Sequence, residues 1–315
     1  MIKKVSFVVC LLLVLVSARA QHQVNSFFDE LGSARIQTAD FSTAHDTIVL
    51  LDHRLDDIIW SRYVYRIIDM RYKQNFQLYF PATADDPEYR NLFHVIVDAV
   101  KDGLPIYEKG QETIKPDFKT QEPMERKNIP NMFLAGPATS PDPNDTLYLD
   151  VKQSNAMMIR YDAETDELST NYYPFDRFVR NQVKYLIQEI VFFDKHTSRL
   201  HTKIIGIAPL RPDRITKDST EVIGALNQSI MFWIPFDKLR PYMAMQYVIP
   251  NRNETKRVTF DEFFQKRLFT SYIVGEGNMY NRWIPDYSGT PEQVRKEQER
   301  IATELLNFEQ DLWEY

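Results

Sequence analysis

Cysteine is almost missing from this chain, and the single copy, Cys10, sits inside the apolar run from Val5 to Val16. One thiol cannot close an internal disulfide or supply a Cys-rich metal site. Glycine is scarce too, with nine copies, and the one Gly-x-Gly, Gly275-Glu276-Gly277, has an acid at its centre and no Lys-Ser/Thr behind it. Phosphate loops need glycines so that backbone N–H groups can approach the phosphate, so a nucleotide cradle is excluded and the triplet reads as a turn. The six histidines are scattered and no H-E-x-x-H occurs, which removes the common zinc-hydrolase pattern. A basic excess is absent as well: 38 Lys and Arg stand against 44 Asp and Glu, which argues against nucleic acid as a partner. No apolar run approaches the roughly 20 residues a membrane-spanning helix needs.

What the sequence does have begins with Lys3 and Lys4, the short apolar run and the small-residue site Ala18-Arg19-Ala20. This is the pattern of a signal peptide over 1–20, with cleavage expected after Ala20. A lipoprotein would carry its cysteine at the cleavage point, whereas Cys10 leaves with the signal. The mature chain is therefore expected in the periplasm with no cysteine, no lipid anchor and no transmembrane segment. It keeps 35 basic against 44 acidic residues, a formal −9. Aromatic residues make up 13% of the chain, enough for a well-packed core.

The periodicity predicts an α+β fold in two units. After an N-terminal segment, 21–51, a first α/β unit is expected over 52–107. Ile59, Trp60, Tyr63, Val64, Ile67, Ile68 and Met70 can share one face of a helix, with Ser61, Arg62, Arg66 and Asp69 opposite. Phe76 to Phe80 reads as a strand stopped at Pro81. A helix follows, capped by Asp86, buried through Leu92, Phe93, Ile96, Ala99 and Val100, and stopped at Gly103. The segment 108–145 is a linker or loop with six prolines between Lys115 and Asn144; Met132-Phe133-Leu134 is its one apolar anchor.

The second α+β unit is expected over 146–315. It starts with a strand at Thr146 to Leu149 and continues with a hairpin of Tyr185–Phe193 and Leu200–Ala208 joined by Asp194 to Arg199. Pro209 should end that second strand, and Phe232-Trp233-Ile234 is a further strand candidate. Thr259 and Glu262 form a capping box for a helix bearing Phe260, Phe263, Phe264, Leu268 and Tyr272 on one face. Thr290, Pro291 and Gln293 start a last helix, with Val294, Ile301, Leu305, Phe308 and Leu312 along one seam.

A search for chemistry ends without a centre. His196 and His201 flank a turn, where polar residues are expected anyway. His45-Asp46 and Asp52-His53 could orient an imidazole by a carboxylate, but no nucleophile motif accompanies them, and a surface loop explains them as well. Asp56-Asp57, Asp85-Asp86 and Asp261-Glu262 point in different directions if helical and suit helix starts. The expectation is no catalytic residue, no cofactor and no metal. The candidate interaction residues are Phe308, Leu312, Trp313 and Tyr315: an aromatic cluster at a chain end, where residues are usually polar and frayed, is better understood docked.

Five stretches, in order along the mature chain, resemble the GldN/PorN family of type IX secretion and gliding motility. They are IIWSRYVYRIIDMRYKQNFQLYFP from Ile58, VFFDKHTSRLHTKIIGIAPLR from Val191, FWIPFDKLRP from Phe232, VTFDEFFQKRLFTSYIV from Val258 and LNFEQDLWEY from Leu306. The proline-rich segment carries none of the resemblance. The resemblance implies a non-enzymatic ring subunit in the periplasm. Its implied partners are an outer-membrane lipoprotein of the GldK/PorK type, the periplasmic part of a GldM/PorM-type motor protein, and further copies of itself. A free-standing periplasmic binding module is the alternative; it would be a monomer with one large apolar pocket, whereas a ring subunit carries two distinct surfaces.

Overall fold

The computed structural model describes residues 35–39, 47–48, 50–81, 89–108, 118, 121–133, 159–170, 184–212, 228–249, 257–278, 280 and 282–311. The expected signal peptide and the strand at Thr146–Leu149 lie outside them. The first part of the chain forms β1 (Arg35–Ala39), β2 (Leu50–Arg54), β3 (Ile58–Asp69), α1 (Phe76–Tyr79), α2 (Leu92–Lys101) and α3 (Ile129–Met132). Next come β4 (Ile159–Asp162), β5 (Glu167–Thr170), β6 (Lys184–Asp194), β7 (Arg199–Pro212), β8 (Gln228–Ile230) and β9 (Ile234–Pro235). The rest is α4 (Phe236–Ala244), β10 (Tyr247–Val248), β11 (Val258–Thr259), α5 (Phe260–Gln265), β12 (Ser271–Glu276), α6 (Ile284–Tyr287) and α7 (Pro291–Asp311).

The architecture is α+β. An antiparallel sheet in the order β12-β3-β6-β7-β8, with β9 also on β7, is its centre. β3 pairs with β6 from Ile58↔Asp194 to Asp69↔Lys184, so residues from either side of the proline-rich segment lie on neighbouring strands of one sheet. Tyr107 and Trp233 add a two-way backbone bridge, at 2.9 and 2.8 Å, between the same two parts of the chain.

The helix expected over Ile59–Met70 is instead the 12-residue strand β3. Its apolar residues are mostly β-branched or aromatic, and from Val64 onward it is covered on both faces, so the alternation that marks a half-exposed strand is absent there. Ile67 and Tyr65 look to one side with Leu186, while Ile68 looks to the other with Tyr185 and Ile187. Arg62 and Arg66, four apart like a polar helical stripe, face carboxylates on the same side of the sheet as Ile68. Arg66 Nε donates to Glu189 Oε2 at 3.0 Å, and Arg267 donates to the same oxygen at 3.0 Å. Glu189 is wholly buried.

The strand expected at Phe76–Phe80 is a single helical turn, α1, with Phe76 and Phe80 stacked at 5.4 Å. Asn75 imposes the turn: its amide donates to the carbonyls of Asp69 and Thr270, and its Oδ1 accepts from the Thr270 N–H. The next helix, α2, is capped by Asn91, whose Oδ1 accepts from the His94 amide at 2.8 Å, and the expected cap Asp86 lies outside the described residues. Gly103, at φ 98°, ends it as expected. The hairpin of β6 and β7 forms in the expected place, but β7 runs past Pro209 to Pro212. Pro209 lacks only a donor; its carbonyl accepts from the Met231 amide at 3.0 Å. Thr259 caps α5, which stops at Gln265, leaving Tyr272 on β12.

One face of the sheet is covered at one end by α2, α4 and α5. Phe93, Val97, Phe232, Phe236, Leu239, Phe260 and Phe264 fill that core. From the proline-rich segment, Phe133 reaches into it against Phe93 and Phe232, so this part of the expected loop is anchored. Arg240 and Asp261 form a buried ion pair at 2.8 Å, and Asp261 Oδ2 also accepts from the Ile48 amide at 2.8 Å. Asp261, expected at a helix start, thus fastens the N-terminal segment as well. Across the Glu189 belt, the other end of the same face is covered by α6 and α7.

Candidate functional site

The C-terminal helix is the first candidate site. Thr290 Oγ1 accepts from the Gln293 amide at 3.3 Å, and Gln293 Oε1 accepts from the Thr290 amide at 3.2 Å, the reciprocal cap read from the sequence. α7 then lays one narrow stripe on the sheet. Ile301 is wholly buried beside Val64, Val191, Ile273 and Ile284, and Val294 and Leu305 pack at the margin. Phe308 stacks on Trp60 with ring centroids 4.4 Å apart. Of the four candidate interaction residues, Phe308 is half-buried on its own chain; Leu312, Trp313 and Tyr315 lie outside the described residues.

Charge holds the same contact. Arg62 Nη1 reaches Glu304 Oε2 at 3.1 Å and Glu276 Oε2 at 3.3 Å, and Arg300 reaches Glu297 at 2.6 Å and Glu276 at 3.3 Å, with a further contact to Glu304. Hydrogen bonds from Arg62, then Arg300, hold the Glu304 carboxyl below its ordinary range, and Arg300 does the same for Glu297. Gly275-Glu276-Gly277 is not a loop: its first two residues finish β12. A side chain at Gly275 would meet the Trp283 ring at 2.9 Å, which explains the glycine. The outer side of α7 is exposed, Leu306 included.

A second cluster lies on the opposite side of the sheet, at the turn end of the β6–β7 hairpin. His53, on β2, is buried, and its Nδ1 lies 2.5 Å from Asp194 Oδ2 at the end of β6. His201 follows on β7, opposite Phe192 in the register, so its side chain shares a face with Asp194. The His53 and His201 rings stand 4.4 Å apart, with Phe192 edge-on to one and stacked on the other. Asp194 Oδ1 accepts from the His196 amide at 2.8 Å. Burial pushes the Asp194 carboxyl up, but hydrogen bonds from His53 and the His196 amide outweigh it and leave it below its ordinary range. Burial, then the neighbouring His53, lowers His201.

Sequence reasoning paired these groups wrongly. It set His201 beside His196, which is on the exposed turn, and it set His53 beside Asp52 on a surface loop. His45 lies outside the described residues. The hairpin register carried a signal for Asp194 and His201, since Phe192↔His201 puts both on one face. Nothing local could have brought His53 across from a strand 141 residues away.

Among the described residues no helix is long and apolar enough to cross a membrane. A search of curated proteins finds no match to the chain. A family model described as "Gliding motility associated protein GldN" matches residues 53–314. That span takes in β3, all the strands of the central sheet and the docked helix α7, so the chain belongs to the GldN family of gliding-motility machinery components.

Proposed function

We propose that this chain is a non-catalytic structural subunit of a periplasmic ring in type IX protein secretion and gliding motility. In this reading it binds an outer-membrane lipoprotein of the GldK/PorK type and the periplasmic part of a GldM/PorM-type motor, and it associates with further copies of itself. The observation that carries the reading is the family match across 53–314. The signal-peptide pattern supports export. The exposed outer side of α7 offers a second surface on an element already anchored by its inner stripe, in keeping with the two surfaces a ring subunit needs.

Purification from outer membranes after gentle detergent extraction tests this. The expected result is a large assembly in which the chain and a lipoprotein co-purify. A soluble monomer that never co-purifies with a lipoprotein would sink it and favour a free-standing binding module.

A further inference from the structure

We propose that His53, Asp194 and His201 form a binding site for a divalent metal of the zinc class, which fastens the N-terminal strand β2 to the β6–β7 hairpin. Each residue offers one ligand atom, and the three atoms lie within 4.8 Å of one another. Two imidazoles and one carboxylate are a common zinc donor set. Tetrahedral zinc, with Zn–N near 2.0–2.1 Å, wants its donors about 3.3 Å apart, so the widest pair closes by about 1.5 Å at most, while His53 Nδ1 and Asp194 Oδ2, now hydrogen-bonded at 2.5 Å, open by about 0.8 Å. Side-chain rotation about χ1 and χ2 supplies that without moving a strand.

The surroundings suit ligation. Burying polar groups is costly unless they are satisfied, and a lone His–Asp hydrogen bond would need only His53 and Asp194. The structure adds a second imidazole, ring to ring with the first, where two protonated rings would repel. Neutral imidazoles and an ionised carboxylate are the ligating forms. Outer contacts aim the ligands as metal sites require: the His196 amide holds Asp194 Oδ1 at 2.8 Å, and Thr197 Oγ1 lies 2.9 Å from His201 Nε2. Phe192 walls one side. His201 is half-buried, and water would take the fourth position. The site is independent of ring assembly and would persist in a monomer.

The test uses the mature chain, stripped with a chelator and titrated with zinc chloride by calorimetry and thermal melting. Expected are one equivalent bound with micromolar or tighter affinity, a raised Tm, and slower amide exchange over residues 50–54; calcium and magnesium, which prefer all-oxygen sites, should do none of this. His201→Ala should weaken zinc at least about tenfold. His201 is half-buried against Phe192, so the metal-free melt of this variant is the reference from which its own zinc-induced Tm shift is read. His196→Ala, on the exposed turn, should bind zinc like the parent. Cobalt(II) substituted for zinc should give visible d–d bands that His201→Ala abolishes. No saturable binding, equal binding by His201→Ala, or loss of binding in His196→Ala would each overturn the proposal, leaving a hydrogen-bonded bolt between β2 and β6.

Discussion

The same face of one sheet is covered in two ways. Toward one end α2, α4 and α5 bury whole aromatic side chains in a dry core. Toward the other, α7 buries one full residue, Ile301, and supports the rest of its contact by a ring stack and a web of Arg and Glu side chains. The first arrangement draws its stability from apolar area, the second from a thin seam plus charges that water and salt can reach. The first suits a permanent scaffold. The second suits an element whose outer side meets something else.

Substitution in the dry half should have the largest effect. Phe236 is wholly buried, so Phe236→Ala is expected to cost roughly 3–5 kcal/mol in urea unfolding. A loss below that of Phe308→Ala would break the comparison. The next effect is an acid sensitivity of the same half. Burial, then Arg90, pulls His94 on α2 down to about 4, below its ordinary 6.5. The unfolded chain therefore takes up that proton first, and stability falls as pH drops from 6.5 to 4, by roughly 3 kcal/mol. Unfolding curves across that range should show the slope, and His94→Leu should flatten it.

The seam predicts smaller numbers. Phe308→Ala loses a half-buried ring and its stack on Trp60, about 1 kcal/mol in the isolated monomer. Deleting 308–315 sharpens the point. If the end of the helix serves assembly, the monomer should melt with a similarly small change while co-purification with the lipoprotein fails; a large loss of monomer stability would assign the tail to its own fold. Smallest is Arg300→Gln, less than about 0.5 kcal/mol and vanishing in high salt. Glu297 and Glu304 both titrate below their ordinary range, so the contribution of this web is present near neutrality and is lost as pH falls through the carboxylate range.

How far the sequence could be read divides along physical lines. Helices with side-chain caps, at Thr259 and, reciprocally, at Thr290, and the hairpin with its polar turn were legible because their signals are local. β3 was not, because its second half is buried on both faces and loses its alternation, and because its two arginines answer to Glu189, Glu276 and Glu304, far away in sequence. Asn75 converts an apparent strand into a turn through backbone groups near Thr270, which no window around Phe76 contains. The resemblance carried the family where local reading failed. It gave no hint of the histidine cluster, whose members meet only once β2 is laid against the hairpin.

The buried carboxylate of Glu189, gripped by Arg66 and Arg267, lies across the sheet between these two coverings. It behaves as a watertight bulkhead between compartments. If α7 swings off its seam, water floods Val64, Val191 and Ile273 but meets, at the next rung, groups that already satisfy one another's charge. Wetting them exposes little new apolar surface, so the leak has no reason to spread into the aromatic core. The C-terminal helix can thus open as its own cooperative unit, in the manner of local unfolding, while the rest of the molecule stays closed.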